Sequence, residues 1–369
     1  MLIRAVKIKI IKRNKKPFSS DTLDLGFLYS TVSVKFVPCL CGGRLLHQDS
    51  WLPARRLDDR IRVRAVCKLW RSSISVSDPS PRLPWFLRFA GDGEEEIICY
   101  SLSSNKTYKI HCQQLRDAYF EGTAGSFILC CRDGRPEPVS LFNPFNGLEI
   151  SLPSPNHFQV YGVVSNPLQE DILAVSGTEA RTGDIWSGFI RPGEETWVIR
   201  RWDIEYHFGV CVYYGGLWYV NEHNAHTLIE DAATGNIVSV ILSPDSDLVL
   251  SQHMLETCGE ILIIFRCNAT DKLEGTYFDI YRLDEVRGNY QWVKIGDIGD
   301  RMLFLNRIGG FSLRNNELPG FKGNSIYFMD HDLQSNSILL CQHDLKNGTT
   351  EALPNFWGEG GTWIIPSFG

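Results

Sequence analysis

The 369-residue sequence has no apolar run fit to cross a bilayer as a helix. A span needs about 20 predominantly apolar residues. The nearest candidate, "LGFLYSTVSVKFVPCL" at 25–40, is interrupted by Lys35 and Pro38. No membrane partner is therefore expected. Cys39 and Cys41 form C-x-C, but no second pair stands at zinc-finger spacing, so a structural zinc site is not expected. There is no Gly-x-Ser-x-Gly elbow. "GEGG" at 358–361 is rich in glycine but lacks the Lys-Ser/Thr of a phosphate loop. A Ser-His-Asp triad assembled only in space leaves no local signature, and nothing points to one. No catalytic, cofactor-binding or metal residue is assigned.

Two short clusters carry residue types that bind metals. "MDHD" at 329–332 brings Asp330, His331 and Asp332 close in sequence, but neighbours in an extended turn rarely point at one ion, and a solvated hairpin turn is the expected role. "HNAH" at 223–226 lacks the helix on which an i, i+3 His pair would share a face. "GDGEEE" at 91–96 reads as a charged turn before a strand.

What is present is 43% apolar and 12% aromatic residues, enough for a sizeable core. Most of the 11 cysteines lie in apolar runs such as "FILCCR" and "GVCVYY", and are expected to be small reduced core residues. The sequons at Asn105, Asn268 and Asn347 are read as chance matches.

The net charge of -6 hides an asymmetry. Residues 1–76 hold 16 Lys/Arg against 5 Asp/Glu, leaving 21 against 38 for the rest. Two folding units are expected. The acidic remainder argues against nucleic acid, whose phosphates demand a clustered positive surface. The opening "MLIRAVKIKIIKRNKK" is cationic and acid-free, and residues 1–47 are read as a poorly packed basic lead rather than a targeting peptide.

"RIRVRAVCKLWRSS" at 60–73 is the most helical stretch. Asp58 can cap it and Asp59 complements its dipole. Ile61, Ala65, Val66, Leu69, Trp70 and Ile74 form one apolar stripe, with Arg60, Arg64, Lys68 and Arg71 opposite. From Pro84 onward no long helical period remains. Short runs of Val, Ile, Tyr, Phe and Trp alternate with Gly, Asn, Asp and Pro, giving roughly two dozen strands. "GGLWYVNEHNAHTLIEDAATGNI" and "GNSIYFMDHDLQSNSILLCQHDLKNGTTEALP" share a plan of Gly-aromatic strand, turn, and strand ending in Asp before an Asn/Thr-Gly turn, and "PVSLFNPFNGLEISLP" gives the half of it that ends in Asn-Gly. Such repetition marks a β-propeller, and about 40–45 residues per blade predicts about six blades over 84–366. The tryptophans of this body (Trp85, Trp186, Trp197, Trp202, Trp218, Trp292, Trp357 and Trp363) are expected mostly in the core, with a minority on a loop face as binding anchors.

Two resemblances add to this mainly β reading. "WLP" at 51–53 and then Val66, Cys67, Lys68, Trp70 and Arg71 resemble the end of an F-box, a small helical module that docks on a Skp-type adaptor. The family's intervening helix, with its Leu-Leu-x-x-Ile pattern, has no counterpart here, since Pro53 is followed directly by "ARRLDDR". Residues 48–78 are thus read as a partial F-box, a short helical remnant with Leu52, Pro53, Ile61, Val66, Cys67 and Trp70 as adaptor-facing or module-core residues. The body resembles the KIB-type β-propeller of plant F-box proteins through "PWFLRF", "LFNPFNGLEISLP", "GGLWYV", "LETCGEILIIFR", "FDIYRLD", "WVKIGDIGDRMLFL" and "GNSIYFMD". The resemblance implies a non-catalytic substrate-recognition subunit of a Skp-cullin-F-box ubiquitin ligase, working in the nucleus or cytoplasm, whose propeller binds a protein target. Two alternatives stay open: an F-box-derived protein that no longer binds the adaptor, and a propeller enzyme or carbohydrate-binding propeller. An adaptor should lack converging metal ligands or titratable groups in its central channel.

Overall fold

The computed structural model describes residues between 84 and 366, apart from 90–95, 113–114, 116–117, 133–138, 156–157, 166–171, 180–181, 183, 192, 203–209, 222–225, 271–272, 319, 333–336 and 354–360. The helix expected over 58–74 and the partial F-box lie outside the described residues.

Six sheets follow one another along the chain. The first holds β1 (Trp85–Phe89), β2 (Glu96–Ser101) and β3 (Lys106–His111). The second holds β4 (Ala118–Ala124), β5 (Phe127–Arg132), β6 (Val139–Phe142) and β7 (Glu149–Leu152). The third holds β8 (Phe158–Val163), β9 (Leu173–Glu179), β10 (Ile185–Ile190) and β11 (Val198–Trp202). The fourth holds β12 (Val210–Tyr214), β13 (Leu217–Asn221), β14 (His226–Asp231) and β15 (Ile237–Leu242). The fifth holds β16 (Val249–Thr257), β17 (Glu260–Asn268), β18 (Thr276–Val286) and β19 (Asn289–Ile295). The sixth holds β20 (Arg301–Leu305), β21 (Gly310–Arg314), β22 (Ser325–Asp332), β23 (Ser337–Asp344) and β24 (Thr349–Ala352). The last strand, β25 (Thr362–Ile364), returns to the first sheet and pairs antiparallel with β1, Phe86 opposite Trp363. This is a six-bladed propeller whose ring is closed by joining the two ends of the described chain, which leaves no radial sheet edge open at the seam.

The recurrent sequence plan has a local cause. Blades two, four and six each close their outer hairpin with the same turn. The glycine N–H donates to the backbone carbonyl four residues earlier: Gly147 to Asn143 at 2.9 Å, Gly235 to Asp231 at 2.8 Å and Gly348 to Asp344 at 2.8 Å. The side chain of that earlier residue also accepts backbone N–H groups inside the turn, from Phe145, from Ala233 and Thr234, and from Lys346 and Asn347 respectively. The glycines have φ of +76°, +71° and +65°, which a side chain would resist. Elsewhere two-residue turns suffice. Gly215 and Gly216 have φ of +60° and +81°, as a type I′ hairpin needs.

Between blades the apolar faces interdigitate. Trp85, Trp186, Trp218 and Trp363 are fully buried, as expected of the core tryptophans. Phe304 stacks on Tyr327 at 4.7 Å and meets Trp363 edge-on at 5.3 Å, tying the sixth blade to the first. The sixth blade departs from the four-stranded pattern. Its order is β21-β20-β22-β23-β24, with β20 and β22 parallel. No helix of the described residues is long and apolar enough to cross a membrane.

Candidate functional site

A propeller offers a ligand three places: the central channel, the loop faces and the outer rim. The channel comes first. It is walled by the inner strands β25, β4, β8, β12, β16 and β21, which meet their neighbours around the ring. The extra strand of the sixth blade makes β20 and β21 a hairpin whose turn, 306–309, reaches into this space. Asn306 donates from Nδ2 to Thr123 Oγ1 of β4 at 3.3 Å and to the Trp363 carbonyl of β25 at 3.4 Å. Its Oδ1 accepts the Trp363 N–H at 2.7 Å. Ile308 packs against the apolar cluster shared by blades three and four, to which Val164, Tyr213 and Trp218 belong. A Cβ on Gly162 would sit 2.8 Å from Ile308 Cβ, and one on Gly309 would sit 2.9 Å from the Val163 carbonyl. One turn of blade six therefore touches the inner strands of blades one, two, three and four, and fills the channel at that level.

On the fifth blade, His253 of β16 faces the same turn. Burial, with the nearby Arg266 guanidinium adding to it and the Asn306 backbone partly opposing, pushes its pKa down to about 4. His253 is therefore neutral at pH 7, a buried core histidine whose Nε2 lies 3.2 Å from Ser251 Oγ and whose Nδ1 has no hydrogen-bond partner among the described residues. Among the described residues no three His, Cys, Asp or Glu side chains stand where they could hold a metal ion. Arg307, at the tip of the turn, is exposed.

The outer rim is different. Ile237, Val238, Val240 and Leu242 of β15 are exposed large hydrophobics there, and Leu248 and Leu250, where the crossover enters the inner strand β16, are exposed as well. Residues facing each other across an antiparallel ladder share a sheet face. Val240 lies opposite Leu228, Leu242 opposite His226, and Ile237 opposite Glu230 across a bulge. Leu228 packs with Trp202 and Phe189 of blade three, so this face of β15 looks toward that blade. On β11, Val198 lies opposite Phe189 and Arg200 opposite Ser187, so they face blade four. Arg200 pairs with the buried Glu230 at 2.8 Å and lies over the Trp202 ring at 5.5 Å. The two blades thus turn exposed apolar side chains toward each other at their outer edge, Val198 from one and Ile237, Val240 and Leu242 from the other. Sequence reading missed it, because "IVSVIL" has the composition of a core strand.

Other sequence expectations resolve unevenly. Asp330 does not sit in a solvated turn. It lies within β22, largely buried, and forms an ion pair with Arg266, which also donates to the Met329 carbonyl at 3.1 Å. The expectation failed because the turn residues begin after the strand, not within "MDHD". Nothing brings Asp330 to a metal. His226 is exposed at the start of β14, and the rest of "HNAH" lies outside the described residues. Glu96, the end of "GDGEEE", opens β2 and pairs with Lys109 at 2.9 Å. Seven described cysteines are buried, and burial pushes the Cys112, Cys130 and Cys341 thiols up to about 12. Cys258 is the exception: it is exposed in a hairpin turn at φ +55°. None of the described tryptophans is an exposed anchor. Trp197 donates to the Pro153 carbonyl at 2.7 Å and Trp292 to Thr227 Oγ1 at 2.9 Å. Leu52, Pro53, Ile61, Val66, Cys67 and Trp70 lie outside the described residues.

The chain is similar to several known proteins. The chain is 21% identical to the F-box protein At3g25750 of Arabidopsis thaliana, over 75% of this chain and 83% of that one. It is 23% identical to the F-box/kelch-repeat protein At1g64840 of the same plant, over 74% of this chain and 79% of that one. Among solved structures, the β-propeller domain of Cps50 (Swd1) from Myceliophteria thermophila is similar at 14% identity and a TM-score of 0.40, covering 75% of this chain and 87% of that one. The model of the KIB1-4 β-propeller matches residues 99–348, from the second strand of the first blade to the outer turn of the sixth. With six blades, the shared hairpin turns and that match over most of its length, the chain belongs to the KIB1-4 β-propeller family.

Proposed function

We propose that the chain is the substrate-recognition subunit of a Skp-cullin-F-box ubiquitin ligase, acting in the nucleus or cytoplasm, and that its propeller holds a protein target. The observation that carries this reading is the stoppered channel. A propeller that acts on a small molecule or a sugar needs a concave pocket with converging polar groups. Here the middle of the ring is occupied by Asn306–Gly309, and His253, which lies against it, is neutral and buried. What remains for recognition is outer surface, which suits a protein better than a metabolite. The names of the Arabidopsis relatives supply the F-box half of the reading.

The mechanism needs no active site. A receptor that docks a target while its F-box holds the adaptor raises the local concentration of target lysines beside the charged ligase partner. Leu52, Pro53, Ile61, Val66, Cys67 and Trp70 are assigned to the adaptor contact or to the core of its module. The direct join of Pro53 to "ARRLDDR" favours a second reading, in which the chain occupies its target without recruiting the adaptor. Co-precipitation of the full chain with a Skp-type adaptor and cullin separates the two. Recovery of both, lost on Trp70→Ala, supports the ligase subunit. Failure to recover either while the propeller still captures a target supports the second reading.

A further inference from the structure

We propose that the free edge of β15, together with the crossover that follows it, docks an extended segment of a target protein that is apolar along its length and preceded by basic residues. The proposal rests on the receptor reading above and assigns that receptor's docking site.

Three observations converge on it. The first is the edge itself. β15 is the outermost strand of its blade, and among the described residues no strand pairs with its free side. Folded proteins protect such edges with charge, proline or cover. "IVSVIL" has none of the first two, and its side chains are exposed, Leu242 at 77% and Ile237 at 61%. Strand addition to such an edge uses main-chain hydrogen bonds for affinity and alternate side-chain sites for selectivity. The exposed apolar surface facing Val198 is placed to take those alternate side chains.

The second observation is charge. Between residues 226 and 248 there are four acidic residues and no Lys or Arg. Glu230 is taken by Arg200, and Asp231 caps its own turn. Asp245 and Asp247 are exposed and form no ion pair among the described residues. Their backbone is held firmly. The Asp245 carbonyl accepts Tyr281 OH at 3.1 Å, and the Asp247 carbonyl accepts Tyr277 OH at 3.3 Å. Ser243 Oγ and Thr227 Oγ1 both donate to Asn221 Oδ1 at 2.6 Å, which fixes the point where β15 becomes the crossover. Two carboxylates therefore stand free on a rigid base, just past the C-terminal end of the edge.

The third is conformational. Leu248 holds φ at +58°, unusual for a bulky residue, and a bulge between Val249 and Ser251 sets Leu250 apart from the ladder. Both leucines are exposed, at 62% and 58%. Strain that presents apolar side chains to solvent is out of place in a purely structural loop and fits a contact surface.

Polarity follows from geometry. A strand adding antiparallel to β15, as every other strand of this blade does, begins near Leu242 and runs toward Ile237. Residues just before its apolar stretch then lie beside Asp245 and Asp247, so the basic residues must lead. The test uses the full chain and a labelled peptide, Lys-Arg-Gly-Val-Thr-Val-Thr-Ile-Thr, read by fluorescence anisotropy. Saturable binding is expected, about tenfold weaker for a Glu-Glu-led peptide and about tenfold weaker on D245K/D247K. Binding should vanish on V240K/L242K and be unchanged on Ile150→Lys, which alters an exposed residue of another blade. Three results overturn the proposal: absence of saturable binding, equal loss on Ile150→Lys, or a dimer in sedimentation that V240K/L242K abolishes while the peptide does not bind. The last would assign the edge to a second copy of the chain. Adaptor co-precipitation is read separately, so a chain that binds the peptide but not the adaptor refutes the ligase reading and leaves the docking site standing.

Discussion

Asn306 and Trp363, 57 residues apart, bind each other twice across the seam of the ring: the Trp363 N–H donates to Asn306 Oδ1 at 2.7 Å, and Asn306 Nδ2 donates back to the Trp363 carbonyl at 3.4 Å. The pairing copies a backbone ladder with a side-chain amide. It joins the channel turn to the strand that closes the propeller, so stoppering and closure are one feature. Asn306→Ala leaves the buried Trp363 N–H without its acceptor. An unsatisfied buried donor costs about 1–3 kcal/mol. The variant should unfold in urea at a visibly lower midpoint with an unchanged slope. A midpoint equal to wild type would mean that the seam does not depend on this contact.

Gly162 offers a sharper test of the stopper. A Cβ there meets the Ile308 Cβ at 2.8 Å, closer than real contacts allow. Gly162→Ala should destabilise by about 1–3 kcal/mol through overpacking. Ile308→Gly, which removes the clashing Cβ with the rest of the side chain, should alone cost stability by opening a cavity. Combined, the two should cost less than their sum, because each relieves the other's defect. Strict additivity in a double-mutant cycle would separate the two residues and remove the turn from the channel wall.

These contacts were invisible in the sequence for a plain reason. Asn306 and Thr123 are 183 residues apart, and nothing local in "NRIGG" distinguishes a channel stopper from an ordinary hairpin turn. The outer hairpins were legible, since the Asn/Asp that caps each turn and the glycine that completes it lie within five residues of one another. Buried tryptophans were legible as a class but not by partner. The rim was illegible in the opposite sense: "IVSVIL" on the surface and "ILIIF" (261–265) in the core both read as uncharged strands. Only the position of β15 at the outer end of its sheet, with its neighbour-facing side left open, separates them. Asp330 was misread because its partner Arg266 comes from the preceding blade.

The neutral His253 sets a pH dependence. Its folded pKa, near 4, lies below the ordinary 6.5. Between those values the unfolded chain binds a proton that the folded chain refuses, so stability falls as pH drops. Above pH 6.5 the residue contributes no slope. Below pH 4 its full penalty of about 3 kcal/mol is present. Wild-type stability, measured in urea, should therefore decline from pH 6.5 to 4, and His253→Gln should flatten that decline. A variant whose pH profile parallels the wild type would show that the loss comes from other groups.

The adaptor contact gives the last expectation. The F-box resemblance covers Val66, Cys67, Lys68, Trp70 and Arg71, but the sequence passes from Pro53 directly to Ala54 where the family has a helix bearing Leu-Leu-x-x-Ile. Interface energy concentrates in a few buried apolar anchors. Losing two or three of them, at about 1–3 kcal/mol each, weakens binding by roughly two to five orders of magnitude. Arg60, Arg64 and Lys68 do not make up the difference, because solvated charges chiefly alter association rate and salt dependence. Titration calorimetry of the full chain against a purified Skp-type adaptor should thus give a much weaker affinity than a complete F-box protein. Inserting the family's helix after Pro53 should restore it. Nanomolar binding by the unaltered chain would place the missing anchors elsewhere in residues 1–47 and overturn the reading of residues 48–78 as a partial module.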